Sequence, residues 1–537
     1  MAEFFYRTED IKPEEVATYF VETTRDREIV NALKARNPVV LAGSRGVGKS
    51  FLLRVAESEL FAEYETQHVL PVYVSFSRSS LINTTDPQQF QHWMLARICA
   101  RMIRALHNRG LIAGRSRGLS ILTGDSSVPA PDRPTAIEEL ADRFEESWKG
   151  KPVSIDSSSL PSLDDFRDAV EDVCIDIHIA RIVVLIDEAA HILLPEQQRQ
   201  FFTLFRDLRS PYLGCKAAVY PGVTSYGDTF QPSHDATMLS FDRDILGDDY
   251  VNTMREIVEK QAESTTLEDI ARHDKNFALL AFAASGNPRI LLKTLARAPR
   301  LTAAQTNDVV REYYRSDLWA EHSMLPEKYE GHKHLIDWGR QFIEVTVLPD
   351  MQKKNEQYLE QEQKSTCFFW VHRDAPQPVK EALKLLAYSG IVTEHATGIR
   401  ATRSEVGTRY AVNLGALIAQ EAMPTSTGLR VARKLTPKRM SEFGANHPIY
   451  QSLIVAVPTF AEPNVAAVLQ QQLSRPLDVL DITEWQYSKL QELGLATVGD
   501  VLLASESKLQ TLSYVGEKRS RRMRNAALAA VFEYLSG

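Results

Sequence analysis

Cysteine is scarce in this sequence of 537 residues, which contains only Cys99, Cys174, Cys215 and Cys367. The four stand singly, without a C-x-x-C pair, so neither a disulfide framework nor a zinc site of the usual spacing is expected. No apolar run approaches the roughly 18 residues that a membrane-spanning helix needs, and the polar start lacks the pattern of a signal peptide. We therefore expect buried thiols in a cytoplasmic protein without membrane contact.

An excess of positive charge is also absent, because 62 lysine and arginine residues stand against 70 aspartate and glutamate residues, a formal net charge of −8. Contact with nucleic acid would therefore depend on local basic patches. The apolar content of 44% and the charged content of 25% are ordinary for a soluble globular protein. A chain of this length is expected to form about three to four domains.

The most informative stretch lies near the N-terminus. An apolar run at residues 38–42 predicts a buried strand, residues 43–50 (GSRGVGKS) match G-x-x-x-x-G-K-[ST], and helical periodicity follows from Phe51. The strand and the helix supply the context that this motif requires. The alternative is a glycine turn that precedes a helix by chance.

The motif predicts a phosphate-binding loop. Glycines let the backbone wrap around an anion, so that successive N–H groups and the start of a helix point at it. We expect Lys49 to contact the β and γ phosphates of ATP, and Ser50 to bind Mg²⁺ through its hydroxyl group. The residues predicted to contact the nucleotide are Gly43, Ser44, Arg45, Gly46, Val47, Gly48, Lys49, Ser50 and Phe51.

A second motif places acidic residues at the end of a predicted strand. Five apolar residues at 182–186 lead into Asp187 and Glu188. A buried parallel strand has such a run, and its carboxyl end lies at the ligand-binding edge of a doubly wound sheet. We expect Asp187 to bind Mg²⁺ through water and Glu188 to activate the attacking water, so that ATP is hydrolysed to ADP and phosphate.

Two later segments carry candidates for contact with the γ-phosphate. The apolar run from Ala217 predicts a strand between the two motif strands, with Thr224 or Ser225 as the polar residue near its end. Arg289 stands in the first turn of a predicted helix, where a cation opposes the helix dipole unless an anion lies nearby. The predicted catalytic residues are thus Lys49, Asp187, Glu188, Thr224, Ser225 and Arg289.

Two arginines are candidates for an arginine finger. Arg206 and Arg209 stand at the end of a helix predicted at 195–208, from which they could reach the nucleotide of a neighbouring subunit. The alternative for both is a solvated helix end, where a charged side chain contributes little.

Together, residues 43–50, the acidic pair Asp187 and Glu188, and Gly-Asn-Pro-Arg at 286–289 resemble the motifs of AAA+ ATPases, and most closely those of the origin-recognition and replication-initiator type. The resemblance covers about residues 20–300. It implies an α/β fold with a three-layer P-loop AAA+ core and a helical lid, followed by a winged-helix domain. It also implies slow ATP hydrolysis and assembly into a homo-oligomer.

The sequence from residue 377 predicts a helix that ends at Gly390, a strand, a basic loop and another strand, which resembles the recognition helix and wing of a winged-helix domain. Two lysines share the polar face of this helix, where they could contact phosphates. The alternative is a winged helix that only packs against protein. The candidates for DNA contact here are Lys380, Lys384, Arg400 and Arg403.

The segment 476–519 is similar to the C-terminal domain of the bacterial RNA polymerase α subunit, a helical module of helix-hairpin-helix type. Trp485 and Ser488 replace that family's groove-contacting arginine and a nearby asparagine, so the resemblance implies phosphate contact through a glycine turn instead of groove recognition. The alternative is a module that docks on protein. The implied DNA contacts are Gly516, Lys518, Arg519, Arg521 and Arg522, with Arg524 on the same basic helix.

These predictions divide the chain into five regions. Within the first, residues 108–162 are rich in Ser, Gly, Pro and Asp and predict an inserted, partly mobile surface segment. The regions are a nucleotide-binding core at 1–265, a helical lid at 266–345, a winged-helix-like domain at 346–420, a basic linker at 421–470 and a helix-hairpin-helix module at 471–537.

The sequence thus predicts an ATP-dependent molecular switch that binds DNA in a sequence-tolerant way, as a loader, initiator or sensor. The alternative is an ATPase regulator of a signalling or antiphage defence system, which controls a separate effector protein through protein contacts. No further catalytic constellation for a small substrate is present in the sequence.

Overall fold

Most of the chain is placed in the structure, which is a computed structural model. The predicted DNA contact Arg403 and residues 455–470 of the predicted linker lie outside the described part. The described residues are 4–82, 86, 88–112, 114, 116–125, 133–149, 154–189, 195–222, 224–227, 229–327, 332–402, 404–454, 473–480 and 482–535.

A sheet of five strands forms the centre of the N-terminal part. The strands are β1 (Val39–Ala42), β2 (Val69–Ser75), β3 (Arg181–Asp187), β4 (Leu213–Val219) and β5 (Thr237–Ser240). Their spatial order is β2-β3-β4-β1-β5, and all neighbouring pairs are parallel. The strand predicted from Ala217 thus lies between the two motif strands. Because the strands run the same way, their carboxyl ends meet at one edge of the sheet.

Helices cover both faces of this sheet. Along β3, Val183 packs in a core that contains Ile29 and Leu53, whereas the next residue, Val184, packs in a second core that contains Trp93. This alternation is what a strand buried on both faces requires. The three-layer α/β fold predicted for a P-loop AAA+ core is therefore confirmed. The helices of the two layers are Thr24–Lys34 and Lys49–Ala62 on one face, and Gln88–Asn108, Leu163–Asp176 and Pro195–Asp207 on the other.

The prediction that residues 108–162 lie on the surface is wrong for the described helices of this segment. The helices Arg117–Thr123 and Ala136–Glu145 pack against Gln88–Asn108 and the helix at 163–176, and Leu140 and Phe144 are fully buried. Apolar residues at 137, 140, 141 and 144 give the second helix a continuous apolar stripe. The Ser, Gly and Pro content of the segment obscured this stripe.

In sequence, the region between the last strand of the first sheet and the first strand of the second sheet consists of helices. Two of their junctions, Tyr313–Asp317 and Phe342–Val347, are π-helical. The α-helices are Tyr250–Glu259, Ser264–Arg272, Asp274–Ala283, Pro288–Arg297, Ala303–Glu312, Leu318–Met324, Lys333–Gln341 and Leu348–Glu360.

A second sheet follows these helices. Its strands are β6 (Phe368–His372), β7 (Val392–Arg400), β8 (Val406–Val412) and β9 (Ser441–Phe443), in the spatial order β7-β8-β6-β9. The helix Gln377–Tyr388 connects β6 to β7, and β7 and β8 form an antiparallel hairpin. The helix and wing of a winged-helix domain are thus present, as predicted.

The predicted linker is wrong for residues 421–454. β9 pairs in parallel with β6, and Phe443 and Tyr450 are buried in the main core. The guanidinium group of Arg439, one of the basic residues of the predicted linker, lies 4.0 Å from the centroid of the Tyr358 ring. The remaining helices here are Leu414–Ile418, Leu429–Arg433 and Gln451–Ile454.

The winged helix packs directly on the nucleotide-binding core. Tyr220, which follows β4, meets Tyr388 edge to face at 5.7 Å between ring centroids. Gly222 has φ +83°, and a Cβ built there would lie 2.6 Å from the carbonyl oxygen of Lys384. The backbone of the predicted recognition helix therefore touches the loop after β4.

The C-terminal module has a hydrophobic core of its own. Leu81, from outside residues 473–530, is buried in this core, and Trp148 packs against it. The four native cysteines are buried, as expected. No helix in the described part of the chain has both the length and the apolar character to cross a membrane. The α-helices of the module are Glu484–Glu492, Val498–Leu503, Glu506–Leu509 and Glu517–Leu535.

The contact at Gly222 can be tested with an alanine substitution. Gly222→Ala should destabilise the docked winged helix by about 1–3 kcal/mol more than a substitution without a clash, because the Cβ meets a backbone oxygen. The change should appear as faster amide hydrogen exchange across residues 377–388. Gly110→Ala is the matched control, since Gly110 has φ +65° but no heavy atom within 4 Å of the Cβ position. Equal effects of the two substitutions would contradict this interpretation.

Candidate nucleotide-binding site

A cavity of about 240 Å³ lies at the carboxyl edge of the first sheet. Its walls come from the glycine loop before Lys49, from the N-terminal segment (residues 4–10) and from the start of the helix Pro288–Arg297. This is the edge at which ligands bind in open α/β sheets.

The glycine loop adopts a conformation that side chains disfavour. Gly48 caps the helix Lys49–Ala62 with φ +111°, and Gly46 has φ +82°. A Cβ at Gly46 would lie 2.7 Å from Oδ1 of Asn287. Glycine at this position thus allows the lid to approach the loop closely.

Lys49 is held inside the loop. Its Nζ donates hydrogen bonds to the carbonyl oxygens of Gly43 and Ser44 at 2.6 and 3.0 Å, and it lies 4.2 Å from the centroid of the Tyr220 ring. Burial, together with the nearby charges of Arg289 and Arg45, lowers the pKa of Lys49 to about 7. The ammonium group therefore has a weak preference for its charged form in this environment.

The two candidate metal ligands meet directly. The hydroxyl group of Ser50 donates a hydrogen bond of 3.0 Å to Oδ1 of Asp187, and the same oxygen accepts the N–H of Glu188 at 2.9 Å. The hydroxyl group of Tyr73 donates to Oδ2. Burial and the charge of Glu188 raise the pKa of Asp187. A cation bound beside Asp187 would therefore stabilise its ionised form.

Glu188 follows β3 in an unusual backbone conformation. Its φ is +57°, and its Oε2 accepts a hydrogen bond of 2.8 Å from the hydroxyl group of Ser75 at the end of β2. The carboxylate also lines the cavity. The acidic pair therefore points in two directions, with Asp187 toward Ser50 and Glu188 toward the cavity.

The start of the helix Pro288–Arg297 closes one side of the cavity. Asn287 caps this helix, and its Nδ2 donates a hydrogen bond of 2.6 Å to the carbonyl oxygen of Arg45. Arg289 lines the cavity, as predicted for a lid arginine, and its Nε donates to the carbonyl oxygen of Tyr6 at 3.0 Å. Arg45 itself forms an ion pair of 3.0 Å with Glu321.

Four candidates lie away from the cavity lining. The hydroxyl group of Thr224 donates to the carbonyl oxygen of Tyr220 at 2.6 Å, and the N–H of Ser225 donates to Gln198. Arg206 pairs with Asp207 of its own helix at 2.8 Å, and Arg209 is exposed at the end of that helix. The structure thus does not bring Thr224, Ser225, Arg206 and Arg209 to the cavity.

Two residues at the cavity carry no signal in the sequence. Tyr220 lines it directly after β4, where we expected a small polar residue. Glu9 lines it from the N-terminal segment with an exposed side chain, and desolvation by the cavity walls, with the charges of Glu188 and Asp187, raises the pKa of Glu9 above its ordinary value. Because Glu9 is distant in sequence from every motif, no sequence pattern could predict its position at the cavity.

Most candidate DNA contacts are on the surface. In the winged helix, Lys384 pairs with Glu381 at 3.0 Å, and Arg400 is exposed at the end of β7. Lys380 is half-buried. In the C-terminal module Gly516, Lys518 and Arg519 are exposed, whereas Arg521, Arg522 and Arg524 are half-buried.

Sequence comparison finds a similarity in the N-terminal part. Residues 4–109, which include the glycine loop, match the family model described as ORC-CDC6-like. The chain resembles origin-recognition AAA+ proteins. No curated protein matches the sequence.

Solved structures to which the chain is remotely similar include origin-recognition proteins of an archaeon and an animal. The Aeropyrum pernix ORC2 protein (ADPNP-ADP complexes) is 13% identical, with 78% of this chain and 97% of that chain covered and a TM-score of 0.38. The Aeropyrum pernix ORC1 protein in complex with DNA is 12% identical over 78% and 93%, with a TM-score of 0.31. Drosophila ORC bound to DNA is 11% identical over 72% and 89%, with a TM-score of 0.26.

The environment of Lys49 predicts proton uptake when a nucleotide binds. Above pH 7 most of the buried lysine is neutral, and a polyphosphate beside it would raise its pKa again. At pH 8 binding should therefore take up about one proton, and affinity should fall as pH rises above 7. Titration calorimetry in Tris and in HEPES measures this uptake, because the two buffers differ in ionisation enthalpy.

Lys49→Arg is the control for this measurement, since a guanidinium group stays protonated and itself takes up no proton. Glu9 is mostly ionised at pH 8 and would also take up a proton beside a triphosphate, so the contribution of Lys49 is the difference in uptake between the wild-type chain and Lys49→Arg. Equal binding heats of the wild-type chain in the two buffers would show that Lys49 is already charged in the free protein.

Proposed function

We propose that this protein is an ATP-dependent switch of the origin-recognition type, which binds and slowly hydrolyses ATP and binds DNA through its C-terminal domains. The observation that carries the proposal is the meeting of Lys49, Ser50, Asp187, Glu188 and Arg289 around one cavity at the carboxyl edge of the sheet. Phosphate chemistry requires this combination of a cation, a hydroxyl group and two carboxylates.

The residues of the loop would bind the phosphates. Backbone N–H groups at residues 43–51 and the start of the helix Lys49–Ala62 favour an anion. Lys49 would exchange its bonds to the carbonyl oxygens of Gly43 and Ser44 for phosphate oxygens. Arg289 would neutralise charge on the transferred phosphoryl group from the lid side.

Ser50 and Asp187 would hold Mg²⁺. A hydroxyl group and a carboxylate 3.0 Å apart form a set of oxygen ligands that suits this ion, which is completed in such sites by water and phosphate. The ion supplies charge neutralisation for phosphoryl transfer when it is bound. Glu188 would accept the proton of the attacking water, and Ser75 orients its carboxylate.

Substitutions at Lys49 and Glu188 should separate binding from turnover. Lys49→Ala should abolish ATP binding, because it removes the cation for the β and γ phosphates. Glu188→Gln should keep binding but lower the hydrolysis rate by on the order of 10²–10⁴-fold. Equilibrium binding of a fluorescent ATP analogue and phosphate release measure the two steps. Glu268→Gln, at an exposed lid position, is the matched control. Normal hydrolysis by Glu188→Gln would remove its assignment as the base.

DNA binding is supported by the basic helix Glu517–Leu535, here called the C-terminal helix. Its exposed and half-buried cations follow the turn at Gly516, where a Cβ would have no heavy atom within 4 Å. An approaching phosphate would therefore find the turn open. Contacts to phosphates fix a protein on a duplex without selecting a sequence.

Removal of these cations should weaken DNA binding in a salt-dependent way. With all four arginines changed to alanine, affinity for unrelated duplexes should fall alike, and the slope of log affinity against log salt should decrease by about 0.9 for each lost phosphate contact. Fluorescence anisotropy at several salt concentrations measures both. The arginines are Arg519, Arg521, Arg522 and Arg524.

A matched control removes the same charge from the surface of the helical region at 250–300 and should leave affinity and slope unchanged. Unchanged affinity of the arginine variant would instead favour the second candidate, an ATPase regulator that docks on an effector protein. That candidate gains support from cations of the C-terminal helix that already contact protein, such as Lys518 on the ring of Phe5. The control positions, all exposed, are Lys260, Arg272, Lys275 and Arg300.

A further inference from the structure

The C-terminal helix lies on the N-terminal segment, more than 500 residues away in sequence. Nη1 of Arg7 donates a hydrogen bond of 2.9 Å to the carbonyl oxygen of Asn525, and Nδ2 of Asn525 donates one of 3.2 Å to Oδ1 of Asp10. Both ends of the chain therefore meet, and Asn525 itself lines the nucleotide cavity.

Two cations of the C-terminal helix complete this contact. Nζ of Lys518 lies 4.6 Å from the centroid of the Phe5 ring, and the guanidinium group of Arg522 lies 5.5 Å from that of Tyr6. Cations at these distances are attracted by the faces of aromatic rings. Lys518 and Arg522 therefore contact the N-terminal segment with the same charged groups that would contact DNA phosphates.

The N-terminal segment connects this contact to the phosphate end of the cavity. The carbonyl oxygen of Tyr6 accepts the hydrogen bond of Arg289, and Glu9 faces the charges of Asp187 and Glu188. The segment in its present place therefore covers the phosphate end of the cavity, and a bound ligand can leave freely only when the segment shifts.

A second connection runs through the loop after β2. Ser75 at its start binds the carboxylate of Glu188, and Ser77 lines the cavity. Leu81 at its end is inserted into the core of the C-terminal module and is only 6% exposed. An apolar side chain in a packed core resists removal. Leu81 therefore attaches the module to the loop whose first residue, Ser75, holds the carboxylate of Glu188.

We propose that the C-terminal module is a lid on the nucleotide site, and that duplex DNA opens it by competing for Lys518 and Arg522. The proposal rests on the proposed function and adds its regulation. DNA phosphates would replace the rings of Phe5 and Tyr6 as partners of the two cations, which releases residues 4–10 from the cavity.

Nucleotide release from the full-length protein tests the lid. The chain is loaded with a mant-labelled, non-hydrolysable ATP analogue and chased with unlabelled ATP, with and without a duplex at low salt. We expect the duplex to accelerate release on the order of tenfold, because an opened lid no longer retains the ligand. Leu81→Asp, which places a charge in the core of the module, should release the analogue as rapidly without DNA and respond little when DNA is added.

Leu503→Asp is the matched control, because Leu503 belongs to the same module but is 59% exposed. It should behave like the wild-type chain. Asp10→Ala removes the acceptor of Asn525 without disturbing the module core and should give an intermediate rate. This second variant separates undocking from misfolding of the module.

The outcomes distinguish the lid from the proposed function. Unchanged release from Leu81→Asp and Asp10→Ala, in a chain that binds nucleotide, overturns the lid alone. Rapid release from both variants with no effect of a bound duplex on the wild type overturns DNA as the opener and points to a protein partner. Absence of nucleotide binding by the wild-type chain overturns both proposals.

Discussion

One buried carboxylate holds the nucleotide-binding core together. Asp187 accepts hydrogen bonds from the helix after the glycine loop, from β2 and from the backbone that follows its own strand, through Ser50, Tyr73 and Glu188. A buried acid is stable only with such partners, so the three elements are fixed relative to one another at the sheet edge. The position of the cavity, and of the residues that line it, follows from this arrangement.

The rest of the chain is built around that edge. The winged helix contacts the loop after β4 through Tyr220 and Gly222, the lid contacts the glycine loop through Asn287, and the C-terminal module contacts the loop after β2 through Leu81. Each of these three loops thus touches a different downstream domain. A ligand that moves one of these loops would act on a domain far away in sequence, without a separate transmitting element.

Local patterns in the sequence were sufficient for the fold class, the strand order around Asp187 and the helix and wing after residue 377. Each depends on a motif or a periodicity within a few neighbouring residues. Contacts between distant segments have no such signal. Glu9 reaches the cavity because residues 4–10 fold back over it, and β9 joins a sheet that its composition did not suggest. Tyr220 was missed because a polar residue was expected at that place in the chain.

The backbone of Glu188 is strained, because its φ is positive, whereas the residues of β3 before it are in extended conformations. A residue with a Cβ at φ +57° is less stable by roughly 1–2 kcal/mol than in its preferred conformations, and glycine or asparagine would relieve much of this strain. A stability screen should therefore favour glycine or asparagine at this position, although both lack the carboxylate that faces the cavity. Thermal robustness and turnover would make opposite demands on the same residue.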